Sequence, residues 1–258
     1  MKTVILCGGM GTRLRELTEM LPKPMVPIGG YPIVWHIMKC YACFGYHDFV
    51  LCLGYKKENF IDFFINYRER NSDITVSLSD GAVQFHDNHC EDDWKVTLAD
   101  TGLTTNTGGR IRRIEKYIDG EDFFLTYGDG VSDVDLAALL EFHRRHGRTI
   151  TVTAVRPSSR FGEINIKSNL VESFSEKPQT SEGYINGGFM VVNRRIFDRY
   201  MNDDPNLDFE SQVMRRVAAD GEMAAFRHDG FWQCMDTSRE YQLLNGLWEK
   251  NAAAWRRW

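Results

Sequence analysis

The fold is decided near the amino terminus, by the stretch Leu6-Cys7-Gly8-Gly9-Met10-Gly11-Thr12-Arg13-Leu14. The short apolar run 3–7 leads into it and predicts a buried β-strand. Because glycine has no side chain, the backbone N–H groups of this stretch are accessible. A glycine-rich turn after a strand can therefore bind a polyphosphate through these N–H groups. Leu14 stands where the dinucleotide fingerprint needs a third glycine, and no Gly-Lys-Ser/Thr of a Walker loop is present. We therefore predict a phosphate-binding turn, with a plain tight turn as the alternative.

The elements that follow alternate between helix and strand. A helix is predicted over 32–44, a buried strand over 49–53 and a second helix over 57–68. This βαβα order predicts a parallel sheet with helices on its faces. We expect one α/β domain over residues 1–258. Within it, 72–110 is expected to form a β-rich excursion and 240–258 a helical carboxyl-terminal tail, whose tryptophans either pack on the body or mediate assembly.

Composition excludes several classes of protein. The 258 residues carry a net charge of −5, which argues against a nonspecific nucleic-acid binder. No apolar run approaches the length of a membrane span, and Met1 leads into a strand without a signal-peptide pattern, so we expect a cytoplasmic protein. Cys40 and Cys43 form a C-x-x-C pair, but no second pair follows at zinc spacing. We interpret Cys40 as a packing residue, because its helical neighbours are apolar.

Three charged residues have surroundings that suit chemistry. Lys23 lies between Pro22 and Pro24, so we expect a rigid, extended backbone that holds its charge in place. The alternative is a solvated surface lysine. Asp129 follows the apolar strand 123–126, at the strand end where α/β folds bind ligands, and it is a candidate Mg²⁺ ligand. The alternative is an ordinary loop aspartate or a residue at the entry of a helix. Asp236 also lies among apolar residues, with the alternative role of N-cap for the next helix.

Taken together, these motifs resemble those of the sugar-1-phosphate nucleotidyltransferases. The G-G-x-G-T-R-L loop, the P-K-P-M segment at 22–25, the E-K-P at 176–178 and the N-G-G-F at 186–189 occur in the expected order. The resemblance covers nearly the whole chain and implies a Rossmann-like three-layer α/β fold with a small β-rich extension. More narrowly, the chain resembles the cytidylyltransferases of the family, through residues 29–39, 100–110, 126–130 and 230–237.

The resemblance implies a role for each matching residue. Nucleotide binding would fall to the loop and to residues near the base and phosphates: Leu6, Cys7, Gly8, Gly9, Met10, Gly11, Thr12, Arg13, Lys23, Thr107, Gly109 and Gly128. The sugar phosphate would meet Gly162, Glu176, Lys177, Asn186 and Gly188. Asp129 and Asp236 would hold Mg²⁺. Catalysis would rest on Arg13, Lys23 and Asp129.

The implied reaction joins CTP to glucose 1-phosphate and gives CDP-glucose and pyrophosphate, for the dideoxysugars of surface lipopolysaccharides. The sugar phosphate is already ionised at neutral pH, so the enzyme needs to neutralise and align two anions rather than to supply a base. Sequence alone leaves open a uridylyl- or thymidylyltransferase, and a noncatalytic protein that binds sugar nucleotides. We also expect a homo-oligomer, and neither a nucleic-acid nor a membrane partner.

Overall fold

The structure, a computed structural model, describes residues 1–9, 19–86, 91–157, 163–167, 170–175 and 183–258. Its strands are β1 (Lys2–Leu6), β2 (Pro27–Ile28), β3 (Tyr31–Pro32), β4 (Asp48–Leu53), β5 (Ile74–Val76), β6 (Val83–Phe85), β7 (Lys95–Asp100), β8 (Asp122–Tyr127), β9 (Gly130–Ser132), β10 (Ile150–Val155), β11 (Glu163–Lys167), β12 (Leu170–Ser175), β13 (Ile185–Asn186), β14 (Met190–Asn193), β15 (Met223–His228) and β16 (Trp232–Cys234).

The α-helices are α1 (Ile33–Ala42), α2 (Lys57–Ile65), α3 (Tyr67–Asn71), α4 (Thr107–Arg113), α5 (Leu136–His146), α6 (Ile196–Tyr200), α7 (Arg215–Ala219) and α8 (Ser238–Glu249). In the part of the chain that the structure describes, 3₁₀ turns cover Lys23–Met25 and Glu115–Tyr117, and Phe209–Met214 forms a π-helix. Among the described residues, none of these helices is long and apolar enough to cross a membrane.

A mostly parallel sheet forms the centre of the molecule. Its strands follow the order β13-β10-β14-β8-β1-β4-β7, and β15 also pairs with β10. Strands β8, β1, β4 and β7 run parallel to one another, whereas β14 runs antiparallel to β8. The carboxyl ends of β1 and β8 therefore lie side by side at one edge of the sheet, where open α/β sheets bind ligands.

Both faces of the sheet are covered, as the continuous apolar runs predict. Ile5, Leu51 and Phe124 point to one face, where they pack with residues of α1, α5 and α8. Their neighbours Val4, Val50 and Leu125 point to the other face, against α4, α6, α7 and the π-helix. The predicted three-layer α/β fold is confirmed.

The excursion from the sheet is shorter than the predicted 72–110. Strands β5 and β6 pair only with each other within the described part of the chain, as a separate hairpin. Strand β7, in contrast, joins the main sheet beside β4. Its alternating pattern arises because it is an edge strand, half-covered along most of its length. The strands β11 and β12 form a further two-stranded sheet.

The carboxyl-terminal tail packs on the body. Helix α8 ends at Glu249, so the predicted helix over 240–258 is too long by about two turns. Beyond it, Trp255 is fully buried and stacks on Phe231 at 5.4 Å between ring centroids. The thiol of Cys40 is buried beside the Trp255 carbonyl, whereas Cys43 is exposed. The two cysteines therefore face different surroundings, in agreement with a packing role for Cys40.

His36 is buried in this tail contact and makes the stability of the protein depend on pH. Its Nε2–H donates to the Ile28 carbonyl at 2.8 Å, and its Nδ1 accepts the indole N–H of Trp255 at 3.4 Å. Burial lowers the pKa of His36 from 6.5 to about 4. The unfolded chain therefore binds a proton that the folded protein excludes, so stability is complete above pH 6.5 and is lost as the pH falls towards 4.

We expect His36→Gln to flatten the acid side of the stability profile. Glutamine offers the same donor and acceptor but does not titrate, so it should remove about 3 kcal/mol of the decrease in unfolding free energy between pH 6.5 and 4. Urea titrations across this pH range measure the difference from wild type. His86→Gln, at an exposed histidine, is the control and should leave the profile unchanged. Parallel profiles for His36→Gln and wild type would contradict the assignment.

Candidate active site

A cleft of about 360 Å³ opens at the carboxyl ends of β1 and β8. Its walls come from the start of the glycine loop, the Lys23 turn, the approach to α4, the end of β8 and the segment after β16. The lining residues are Leu6, Cys7, Gly8, Gly9, Lys23, Pro24, Thr105, Asn106, Thr107, Arg110, Tyr127, Gly128, Asp129 and Asp236. The cleft thus brings together most of the described residues that the sequence assigns to the nucleotide and the metal.

The charges of the cleft centre on Lys23. Its Nζ donates to Asp129 Oδ2 at 2.5 Å and also to Asp236 Oδ1. Burial on its own would lower the pKa of Lys23, but the two carboxylates outweigh it and raise the pKa above its usual value. The lysine is therefore a fixed positive charge at neutral pH, and each carboxylate keeps about a third of its side-chain surface open to solvent.

Two short strands bring the aspartates together. Strand β9 follows Asp129 and pairs antiparallel with β16, so that Gly130 lies opposite Cys234. The Met235 N–H then donates to the Asp129 carbonyl at 2.8 Å, which places Asp236 beside Asp129. The N-cap of α8 is Thr237, in a capping box with Glu240, and not Asp236. Asp236 therefore directs its carboxylate into the cleft.

The backbone at Lys23 differs from the predicted extended conformation. Pro22 is extended, but Lys23 begins a single 3₁₀ turn, closed by the Val26 N–H donating to the Lys23 carbonyl at 3.1 Å. The turn is rigid for the predicted reason, since proline precedes and follows the lysine. It is also buried, which directs the side chain inward rather than into solvent.

The floor of the cleft requires a residue without a side chain at position 128. The Gly128 N–H donates to the Leu6 carbonyl at 3.0 Å. A Cβ there would lie 2.9 Å from that carbonyl oxygen and 3.0 Å from Cys7 Sγ. This close approach of β1 and β8 also buries the Cys7 thiol and raises its pKa well above the ordinary value. Cys7 is therefore a neutral wall of the cleft and not a thiolate nucleophile.

Arg110 is a cleft residue that the sequence analysis did not single out. Its guanidinium donates to the carbonyls of Leu53 at 3.0 Å, Gly102 at 2.7 Å and Gly8 at 3.1 Å, and so it joins the ends of three parallel strands. Burial lowers its pKa from the ordinary arginine value. Arg110 adds a buried positive charge beside the glycine loop. Residues 100–110 contributed to the resemblance as a stretch, but nothing in that stretch assigned Arg110 this role.

Of the two residues predicted to lie near the base, both at the amino end of α4, only one lines the cleft. Thr107 lines the cleft. Gly109 does not, because it packs against a neighbouring segment, where a Cβ would lie 2.8 Å from the Pro205 carbonyl oxygen. Helix packing thus explains the glycine at position 109. Gly109 was predicted to contact the nucleotide, but it does not line the described cleft.

The residues predicted to meet the sugar lie beside the cleft. Asn186 Nδ2 donates to the hydroxyl of Tyr127, a cleft residue, at 3.0 Å. Asn186 Oδ1 accepts the Gly188 N–H at 2.9 Å, so these two residues form one unit. The other predicted sugar-phosphate residues, Gly162, Glu176 and Lys177, lie outside the described residues. So do Met10, Gly11, Thr12 and Arg13 of the glycine loop.

Comparison with known proteins points to one family. The family model described as "Nucleotidyl transferase" matches residues 2–246. The chain is 47% identical to the glucose-1-phosphate cytidylyltransferase of Salmonella typhimurium, over the full length of both chains. It is 42% identical, also over both full lengths, to the probable glucose-1-phosphate cytidylyltransferase of Bacillus subtilis.

Solved structures share the fold at lower sequence identity. The crystal structure of HddC from Yersinia pseudotuberculosis matches with a TM-score of 0.68 at 24% identity, over 96% of this chain and 99% of that one. A UDP-glucose pyrophosphorylase in complex with UDP-glucose matches with a TM-score of 0.68 at 16% identity, over 97% and 98% of the two chains.

Proposed function

The chain belongs to the nucleotidyl transferase family, and on that premise we propose that it transfers the cytidylyl group of CTP to glucose 1-phosphate, releasing CDP-glucose and pyrophosphate. The observation that carries the proposal is the position of Lys23 between Asp129 and Asp236, at the cleft edge formed by the glycine loop. Two relatives at 47% and 42% identity are named for this reaction, which supports the choice of substrates.

Lys23 and Arg110 would supply the positive charge. The sugar phosphate attacks the α-phosphorus of the triphosphate, so two anions approach each other and the barrier is largely electrostatic. The Lys23 ammonium is fixed by its turn and its pKa is raised, so it remains charged while that charge develops. Arg13 and Lys177 stay predicted contributors, on the strength of the resemblance.

The donor set suits Mg²⁺. Asp129 and Asp236 offer two partly exposed carboxylates that both pair with the Lys23 ammonium, and Mg²⁺ is commonly bound by one or two carboxylates together with substrate phosphates and water. In the described residues no cluster of three or more acidic, histidine or cysteine side chains forms a complete protein cage. When bound, the ion would neutralise phosphate charge and help to align the triphosphate.

A turnover assay tests the substrates. We expect CDP-glucose and pyrophosphate to form from CTP and glucose 1-phosphate, with much slower product formation from UTP, dTTP, ATP or GTP. A preference for UTP or dTTP would replace the proposal with the uridylyl- or thymidylyltransferase alternative. Binding of the sugar nucleotide without pyrophosphate release would favour the noncatalytic alternative.

We also propose that the chain self-associates and acts in a reducing cytoplasm. The β5–β6 hairpin exposes Ile74, Val76 and Val83 on one face, which is apolar surface that a second copy could bury. Five described cysteines are free thiols. Sedimentation analysis of wild type and Val76→Lys would test assembly, since a charge on that face should shift the protein towards monomer.

By the resemblance, CDP-glucose would serve dideoxysugar synthesis for lipopolysaccharide.

A further inference from the structure

Glu210 lies between the two halves of the cleft. One carboxylate oxygen, Oε2, accepts the hydroxyl proton of Thr107 at 2.7 Å, on the nucleotide side. The other, Oε1, accepts the hydroxyl proton of Tyr127 at 2.7 Å, on the side towards the sugar. A single carboxylate thus joins a residue of α4 to a residue at the end of β8.

The direction of each hydrogen bond follows from the chemistry of the carboxylate. An ionised carboxylate only accepts, so both hydroxyls must donate to it. The Tyr127 oxygen is then the acceptor for Asn186 Nδ2, at 3.0 Å. This fixes the orientation of the Asn186 amide, whose oxygen accepts the Gly188 N–H at 2.9 Å. On the other branch, the Thr107 oxygen accepts the Phe209 N–H at 2.9 Å.

The π-helix Phe209–Met214 presents Glu210 at this point. Phe209 and Val213 are fully buried in the core on that face of the sheet. Asp208 caps the helix by accepting the Ser211 N–H at 2.6 Å. The wider π turn is rare in proteins and occurs often at functional sites. With both of its anchors buried, Glu210 has a fixed backbone from which to hold the two hydroxyls.

We propose that Glu210 is a positioning residue that sets the nucleotide side and the sugar side of the cleft in register with each other. It acts through Thr107 on one branch and through Tyr127 and Asn186 on the other. The inference rests on the proposed function, because it assigns the two branches to CTP and to glucose 1-phosphate. Its physical basis is a continuous chain of hydrogen bonds in which both hydroxyls must donate to the Glu210 carboxylate. Any substitution of Glu210 therefore breaks this chain on at least one branch.

Glu210→Gln is the main test. Glutamine has one acceptor oxygen, so one of the two hydroxyl protons loses its acceptor and meets an N–H₂ donor instead. Loss of a hydrogen bond to a charged group commonly changes an affinity by about tenfold or more. We expect the KM of glucose 1-phosphate or of CTP to rise about tenfold, with a smaller change in kcat. Glu249→Gln, on an exposed helix end, is the matched control and should leave both constants unchanged.

Variants of the two branches separate positioning from simple loss of stability. Tyr127→Phe should raise the KM of glucose 1-phosphate, and Thr107→Val should raise the KM of CTP. Glu210→Gln should then be combined with Tyr127→Phe if it raises the KM of glucose 1-phosphate, or with Thr107→Val if it raises the KM of CTP. The double variant should show little further rise in that KM, because the single variant has already broken the same hydrogen bond. A structural role alone would instead lower the melting temperature and change both substrates equally, with additive effects.

The outcomes distinguish this inference from the proposed function. Wild-type constants for both substrates in a folded Glu210→Gln variant would overturn the positioning role, while CDP-glucose formation by wild type would leave the function intact. No CDP-glucose from wild type would instead refute the proposed function. If Glu210→Gln fails to fold, the Tyr127→Phe and Thr107→Val pair decides: coupled effects in the double variant support the inference, and strictly additive effects overturn it.

Discussion

Asp129→Asn should lower turnover with Mg²⁺ by about 10³-fold and leave the fold intact. The amide has the same shape but lacks the anionic oxygen that Mg²⁺ prefers, and loss of one preorganised electrostatic contact typically lowers kcat by about 10²–10³-fold. Since the carboxylate also pairs with Lys23 at 2.5 Å, the substitution removes one of the two carboxylates that pair with the ammonium in the described part of the chain. We therefore expect a loss at the upper end of that range. Steady-state assays at several Mg²⁺ concentrations measure it.

One further measurement, with a control variant, separates the metal role from a general loss of structure. Calorimetric titration of Mn²⁺ should show weaker binding to Asp129→Asn and to Asp236→Asn than to wild type. Asp119→Asn is the control, because Asp119 is exposed and pairs with Lys2 at 3.6 Å, at the end of β1 opposite the cleft. Equal Mn²⁺ affinity in Asp129→Asn and wild type would remove Asp129 from the metal site.

The sheet could be predicted from local sequence patterns. A continuous apolar run such as 49–53 has both faces buried, and that property is visible without any partner strand. The position of Asp129 followed from the same reasoning, since it comes directly after a buried strand. Strand β7 was harder to place, because an edge strand is covered on fewer sides and its pattern alternates like that of a hairpin.

Contacts between distant segments could not be predicted in the same way. The pairing of β9 with β16 joins two three-residue strands about a hundred residues apart, too short to show any periodicity. Asp236 was proposed from its apolar surroundings and from the resemblance, whereas its place beside Asp129 depends on that pairing. Glu210 gave no signal at all, because a single glutamate outside any motif is ordinarily an exposed residue.

Lys23→Ala should lower kcat by about 10²-fold or more, with a much smaller effect on CTP binding. The ammonium is rigidly held between two prolines and two carboxylates, so its charge is in place before the reaction begins. Lys2→Ala is a matched control: Lys2 also pairs with an aspartate, Asp48 at 2.6 Å, but at the opposite end of β1. Single-turnover kinetics with saturating CTP measure the chemical step directly.

The same variant should respond to metal in the opposite direction. Without the ammonium, Asp129 and Asp236 lose the positive charge that they share, and the loss of that charge lets the two carboxylates attract a divalent cation more strongly. We expect Mn²⁺ to bind more tightly to substrate-free Lys23→Ala than to wild type, while kcat falls. A loss of both metal affinity and kcat would mean that the substitution had only disordered the aspartates. Near-normal turnover in the folded variant would exclude Lys23 from the mechanism, whatever the metal affinity. If Lys23→Ala binds Mn²⁺ more tightly and yet turns over more slowly, damage to the metal site cannot explain the slower reaction. The missing positive charge of Lys23 then explains it.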